Sequence, residues 1–410
     1  MSESSTGDAV VAAAAAASAT GTWRRAGIAG AAIGVIAAGA AAGVAIERLT
    51  VGRGIRKKAR LALDATGPYG ALRGTPGKAL ADDGTTLYYE VDEVDEADPD
   101  RGPRRRRLFG RRAPAPVTVV FSHGYCLNQD SWHFQRAALR GLVRTVHWDQ
   151  RSHGRSGRGA AQQGPDREPV SIDRLGRDLK AVIDTAAPEG PLVLVGHSMG
   201  GMTVMAFGEQ YPELVRDRVV AAAFVGTSSG RLGEVNYGLP VAGVAAVRRV
   251  LPGVLRALGS QAELVERGRR ATADLFAGLI KRYSFSSRDV DPAVARFAER
   301  MIESTPIDVV AEFYPAFDEH DKALALGVFL EVPVLALAGD RDLVTPSSHS
   351  EAIADLLPDA ELVIVPDAGH LVMLEHPEVV TDRLADLLAR VGAVSPAANV
   401  GPYGSTAPPG

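Results

Sequence analysis

The chain has 410 residues, 46% of them hydrophobic and 23% charged, with a formal net charge of -4 at neutral pH. That length accommodates one large domain plus appendages, and the mild acidity offers no electrostatic footprint for a nucleic-acid partner. The single cysteine, Cys126, excludes an intramolecular disulfide framework and any multi-cysteine metal site, and it leaves the redox compartment undetermined.

Residues 1–22 are small and polar and are expected to lack fixed structure. Trp23-Arg24-Arg25 then precedes residues 26–46, which contain only Ala, Gly, Ile and Val. This stretch has the length of a membrane span, so residues 23–48 are read as an N-terminal apolar anchor helix, with an export signal as the alternative. Arg48, Arg53, Arg56, Lys57, Lys58 and Arg60 outnumber Arg24 and Arg25, which places the downstream domain on the cytoplasmic side. A twin-arginine reading of Arg24-Arg25 would send it outward. Residues 49–76 are assigned as a linker, with a folded core from 77.

Thr85–Val91 reads as a strand. The acidic run Asp92–Asp100 and the arginine-rich run 101–112 read as a solvated loop, with contact to anionic lipid as the sharper alternative. From Val117 strands and helices alternate: Val117–Phe121, helix Trp132–Leu142, strand Arg144–Asp149, helix Ile172–Ala186, strand Leu192–Val195, a helix to Tyr211, and strand Arg218–Val225. Residues 229–311 break the alternation with helical patterns at Val241–Leu251, Ala262–Lys281 and Val294–Ile302, as a helical insertion would. Alternation resumes over 312–391 with Val332–Ala338, Ser348–Leu357, Glu361–Val365 and Glu378–Arg390. The Pro-, Gly-, Ala- and Ser-rich tail 392–410 is expected to be disordered. This pattern predicts an α/β protein with a doubly wound, mostly parallel sheet.

Gly196-His197-Ser198-Met199-Gly200 follows an apolar strand and opens a helix, the context that makes G-x-S-x-G a nucleophile elbow. A second match, Gly226-Thr227-Ser228-Ser229-Gly230, lacks a convincing following helix, and Ser228 reads as a loop residue. Serine needs a base, and the base needs an orienting carboxylate. Gly339-Asp340-Arg341-Asp342 and Gly369-His370 each follow a strand, so Asp340 or Asp342 is the candidate acid and His370 the candidate base, with His376 as its rival. His123-Gly124-Tyr125 ends an earlier strand, and the backbone N–H groups of Tyr125 and Met199 are candidate oxyanion donors. His123 reads as a turn residue, His153 and Arg151 as braces of a turn, Cys126 as a small buried thiol, and His197 as pointing to the opposite side of the strand end. The dispersed histidines offer no metal site, and no cofactor is expected.

With His123-Gly124, the turn Asp149–Ser156, Gly196–Gly200, Gly339–Asp342 and Gly369-His370 in place, the chain resembles serine hydrolases of the α/β-hydrolase fold superfamily, esterase- or lipase-like, over residues 80–391. The resemblance implies Asp342 as the acid and the insertion as a mobile cap. It implies hydrolysis of a small-molecule carboxylic ester or lipid-like substrate through an acyl-enzyme. Acyl transfer, thioester or amide cleavage, cofactor-free perhydrolysis and a non-catalytic receptor role stay open as alternatives.

Overall fold

The computed structural model describes residues 69–95, 115–163, 168–236, 280–287 and 290–394, with isolated positions 238, 249, 250 and 253. The expected disordered N-terminus 1–22, the expected anchor helix at 23–48, the acidic–basic runs from 96 on and most of the predicted helices between 241 and 281 lie outside the described residues, as does the tail from 395. Among the described residues no helix is long and apolar enough to cross a membrane.

Eight strands form one sheet in the order β1-β2-β4-β3-β5-β6-β7-β8. They are β1 (Thr75–Leu80), β2 (Thr86–Asp92), β3 (Thr118–Ser122), β4 (Arg144–Trp148), β5 (Leu192–His197), β6 (Val219–Val225), β7 (Val334–Gly339) and β8 (Glu361–Val365). β1, β2 and β4 pair antiparallel, and every later neighbour pairs parallel. The inner strands β3, β5 and β7 are buried along their whole length, which is why they read as unbroken apolar runs.

Alternation along each strand splits the core between two faces. Phe121, Val193, Val195, Ala223 and Leu337 join one cluster, and Val120, Leu192, Leu194, Phe224 and Ala336 join the other. Helices α1 (His133–Leu139) and α9 (Pro377–Arg390) cover the first face. Helices α2 (Ile172–Ala186), α3 (Met199–Gln210), α4 (Pro212–Arg218) and α7 (Ser347–Leu356) cover the second. The doubly wound, mostly parallel sheet is therefore present. In α2 the apolar positions Ile172, Leu175, Leu179, Val182 and Ile183 recur at helical spacing, and the Ser171 hydroxyl caps the helix by accepting the Arg174 N–H at 3.2 Å.

Two features depart from the sequence reading. The assigned linker runs into β1, because Thr75 and Pro76 already pair with Val91 and Glu90. β1 carries Pro76, Gly77 and Lys78 and buries only Ala79, so it has neither the composition nor the alternation of a strand; an edge position tolerates its proline. The second feature concerns the insertion. Helix α5 (Pro292–Ser304) sends Val294, Phe297, Ala298 and Met301 into the same cluster as Phe134 of α1. Helix α6 (Ile307–Asp318) runs unbroken through the assigned boundary at 311. A four-residue helix α8 (Val372–Glu375) follows β8.

Candidate active site

Ser198 sits between β5 and α3 with φ 51° and ψ -119°. A non-glycine residue held there stores backbone strain of about 1–3 kcal/mol, so the surroundings must over-determine the turn. They do. The Ser198 N–H bonds the Val225 carbonyl at 3.0 Å, and its own carbonyl accepts the Thr227 hydroxyl at 2.7 Å. Gly200 is obligatory, since a Cβ there would lie 2.2 Å from the Ser122 carbonyl oxygen; one at Gly196 would lie 2.4 Å from the Gly200 oxygen. The segment after β3 lies against the same turn, with a Cβ on Gly124 meeting the Ser198 Cβ at 3.2 Å and the His197 Nδ1 at 2.6 Å.

His370 follows β8 and Asp342 follows β7. His370 Nδ1 donates to Asp342 Oδ2 at 2.8 Å. The other carboxylate oxygen accepts the N–H groups of Val344 at 2.7 Å and Thr345 at 2.9 Å. Asp342 is thus aimed by its own loop. The Thr345 hydroxyl lies 2.9 Å from Asp342 Oδ2 and 2.8 Å from the Gly226 carbonyl, tying the acid loop to the end of β6. Asp340 instead accepts the Ala368 N–H at 3.2 Å, and His376 lies 3.2 Å from the Asp367 carbonyl. Of the two candidate acids and two candidate bases, only Asp342 and His370 come together. Ser198 Oγ takes no hydrogen-bond partner among the described residues, so the serine–histidine bond is the one link not formed.

Met199 opens α3, where a backbone N–H has no intrahelical acceptor. Neither its N–H nor that of Tyr125 is taken up among the described residues. Ser228 of the second G-x-S-x-G is fully buried, 2.6 Å from the Gly230 carbonyl and 2.8 Å from His349 Nδ1; an irregular segment follows it. Among the described residues no group of three or more histidine, cysteine or carboxylate side chains could hold a metal ion.

Three further histidines are buried and neutral, each fixed by main-chain groups. His123 Nδ1 donates to the Gly124 carbonyl at 2.7 Å while its Nε2 accepts the Gln150 N–H at 2.9 Å. His153 Nδ1 donates to the Arg151 carbonyl at 2.9 Å and its Nε2 accepts the Cys126 N–H at 3.2 Å, so it braces the loop that carries Tyr125. His197 Nε2 donates to the His370 carbonyl at 2.9 Å, with the two rings 4.8 Å apart. His197 therefore reaches the base loop, a role that its place beside Ser198 does not reveal. Glu375 was also missed. Its carboxylate accepts the N–H groups of Gly369 at 2.7 Å, Ser286 at 3.0 Å and Ser287 at 2.8 Å, clamping the base loop to the segment that precedes α5.

The sequence matches the family model for the alpha/beta hydrolase fold over residues 117–377, more than half of the chain. The chain belongs to the α/β-hydrolase fold family. Among similar proteins, an sn-1-specific diacylglycerol lipase of Mus musculus is 27% identical, covering 78% of this hydrolase and 97% of the relative. A monoacylglycerol lipase of Mycolicibacterium smegmatis is 26% identical, covering 63% of this chain and 82% of its own. A thermophilic esterase from Thermogutta terrifontis shares the fold with a TM-score of 0.56 at 23% identity, covering 77% of this hydrolase and 98% of the esterase.

The buried histidines give the hydrolase a defined acid sensitivity. Desolvation, with a lesser push from neighbouring imidazoles, holds His123 and His197 at about 3, and desolvation holds His153 at about 4. Unfolded, each titrates near 6.5, so below that pH the unfolded chain binds protons that the folded one refuses. Stability is therefore complete above about pH 6.5 and falls as pH drops toward 4, by up to about 1.4 kcal/mol per pH unit for each imidazole. Asp149 and Asp178, each raised to about 6 by burial, take their protons first in the folded state and offset two imidazoles between about 6 and 4. The buried His147, pushed well below its ordinary value by desolvation, adds a fourth imidazole, so the net slope keeps its sign. The urea midpoint should fall steadily between pH 6.5 and 4.5; a flat midpoint over that range would contradict neutral buried histidines.

Proposed function

We propose that the chain is a serine hydrolase that cleaves a carboxylic ester of a hydrophobic, acyl-bearing substrate through an acyl-enzyme. The observation that carries this reading is the 2.8 Å pairing of His370 with Asp342 beside a serine whose backbone is held at φ 51°. His370 takes the Ser198 proton on Nε2 as Ser198 Oγ attacks the ester carbonyl. The N–H groups of Tyr125 and Met199 receive the charge that develops on the carbonyl oxygen. His370 then returns the proton to the leaving alcohol, and water repeats the sequence to release the acid. Asp342 keeps the imidazole in the tautomer with its free nitrogen toward the serine and stabilises the imidazolium. Serine–histidine bonds are often long without substrate and close in the Michaelis complex, which accommodates the unpaired Ser198 Oγ. The names of the lipase and esterase relatives support an ester substrate, and lipids are its source in two of them.

The deciding experiment is covalent labelling with a fluorophosphonate probe, followed by turnover of p-nitrophenyl esters of increasing acyl length. Labelling confined to Ser198, with turnover that depends on acyl length, is the expected result. An unlabelled, inert chain would overturn the reading.

A further inference from the structure

The two candidate oxyanion donors lie on separate segments, and what holds each segment sets their spacing. The Met199 segment is fixed by the turn around Ser198 and by α3. The Tyr125 segment is short, and its main anchor lies outside it. The Tyr125 hydroxyl donates to the carbonyl of Val310 in α6. Its ring meets Phe317 edge-on at 5.0 Å and stacks on Phe313 at 6.3 Å, and Phe313 in turn lies 4.9 Å from the His153 ring that braces Cys126. The Met199 side chain is buried in the same cluster, with Val309, Phe313 and Ala316 of α6. Both donor residues are thus rooted in one helix.

That helix has its own anchorage. Arg158 pairs with Asp308 at 3.0 Å and with Glu312 at 2.6 Å. Pro315 within α6 lacks the N–H that would bond the Ala311 carbonyl, so the helix has one backbone bond fewer beside Val310. Burial raises the Tyr125 phenol well above its ordinary value, so it stays a donor across the working pH range.

We propose that Tyr125 is a positioning residue: through its bond to the Val310 carbonyl, its hydroxyl makes the spacing of the two oxyanion donors depend on how α6 is seated. This rests on the serine-hydrolase reading. A phenylalanine would supply the same packing, but only the hydroxyl fixes the loop against the helix backbone. The acceptor is a main-chain atom, so the contact reads the place of α6 and not its side chains. The oxyanion site is complete when α6 is seated and opens when it lifts.

The test is Tyr125→Phe in the full chain. With p-nitrophenyl butyrate, kcat and kcat/KM should fall together by about tenfold while KM holds, short of the 10²–10³ lost when a donor is removed outright. Affinity for a trifluoromethyl ketone, which mimics the tetrahedral species, should fall by the same factor. Arg158→Met, which removes the pairs with Asp308 and Glu312 that seat α6, should show the same pattern more weakly. In hydrogen exchange, amides 124–127 and 307–314 of Tyr125→Phe should exchange faster than in the parent. A higher KM at constant kcat, or unchanged kinetics and exchange, would overturn the proposal. If the serine-hydrolase reading itself fails, the parent will neither label nor turn over ester, and the exchange rates alone decide whether the hydroxyl ties loop to helix.

Discussion

Replacing Ser198 with alanine is expected to lower ester turnover by roughly 10⁴- to 10⁶-fold, about 5–8 kcal/mol of transition-state stabilisation, with the fold retained. The loss is large because the members of a serine–histidine–carboxylate set act as a unit, so His370 and Asp342 have nothing left to activate. Under the proposed mechanism, what remains is substrate binding and the backbone N–H groups of Tyr125 and Met199. The fold should persist because the Ser198 hydroxyl takes no partner among the described residues, whereas its backbone is fixed on both sides of the peptide. A companion variant separates chemistry from strain. Ser198 has the dihedrals of the first central residue of a type II′ turn, a position that glycine occupies without cost. Ser198→Gly should therefore be as inactive as Ser198→Ala yet unfold later, by about 1 kcal/mol. Turnover above a hundredth of the parent in Ser198→Ala would remove Ser198 as the nucleophile. Equal stability of the two variants would remove strain as the reason for the turn.

Arg151→Met is expected to cost about 3–5 kcal/mol of stability, the loss typical of breaking a buried ion pair from one side. Arg151 meets Asp178 through two parallel bonds of 2.5 and 2.6 Å with both side chains fully buried, and its third arm reaches Asp83 at 2.8 Å. Methionine fills the volume of the stem but leaves the Asp178 carboxylate uncompensated in the interior. The double variant Arg151→Met/Asp178→Leu should recover most of the loss, because a well-packed apolar pair often equals a buried ion pair. Activity should also fall in the single variant. The Arg151 carbonyl orients His153, and His153 holds the Cys126 N–H next to Tyr125. Chemical denaturation of the parent and the two variants tests the cost and its recovery. A single variant within 1 kcal/mol of the parent would show that the pair does not hold this turn.

How much was legible depends on how local each signal is. Strands β3, β5 and β7 and helix α2 stand out because burial on both faces or on one stripe imprints an apolar run or a helical period on the residues themselves. β1 left no imprint, since an edge strand is held by its hydrogen bonds to β2 and needs no apolar face. The G-x-S-x-G at Gly226 fits the same pattern as the one at Gly196 and also follows a strand, and what sets it apart in the sequence is what comes after it.

By itself the sequence determined the α/β alternation, the elbow at Ser198, and the placing of Asp342 and His370 after later strands, because each is a short-range pattern. It left Asp340 and His376 as rivals, since the two-residue step from Asp340 to Asp342 and the six-residue step from His370 to His376 carry no direction before the chain folds. The tertiary structure decided which of them pair: it brings Asp342 and His370 together and holds the Asp342 carboxylate with the N–H groups of Val344 and Thr345. It alone joined His197 to the His370 carbonyl, Glu375 to Ser286 and Ser287, and Tyr125 to Val310. Each of those acceptors or donors is a main-chain group, which every residue carries, so no pattern of side chains could announce the contact before the chain was folded.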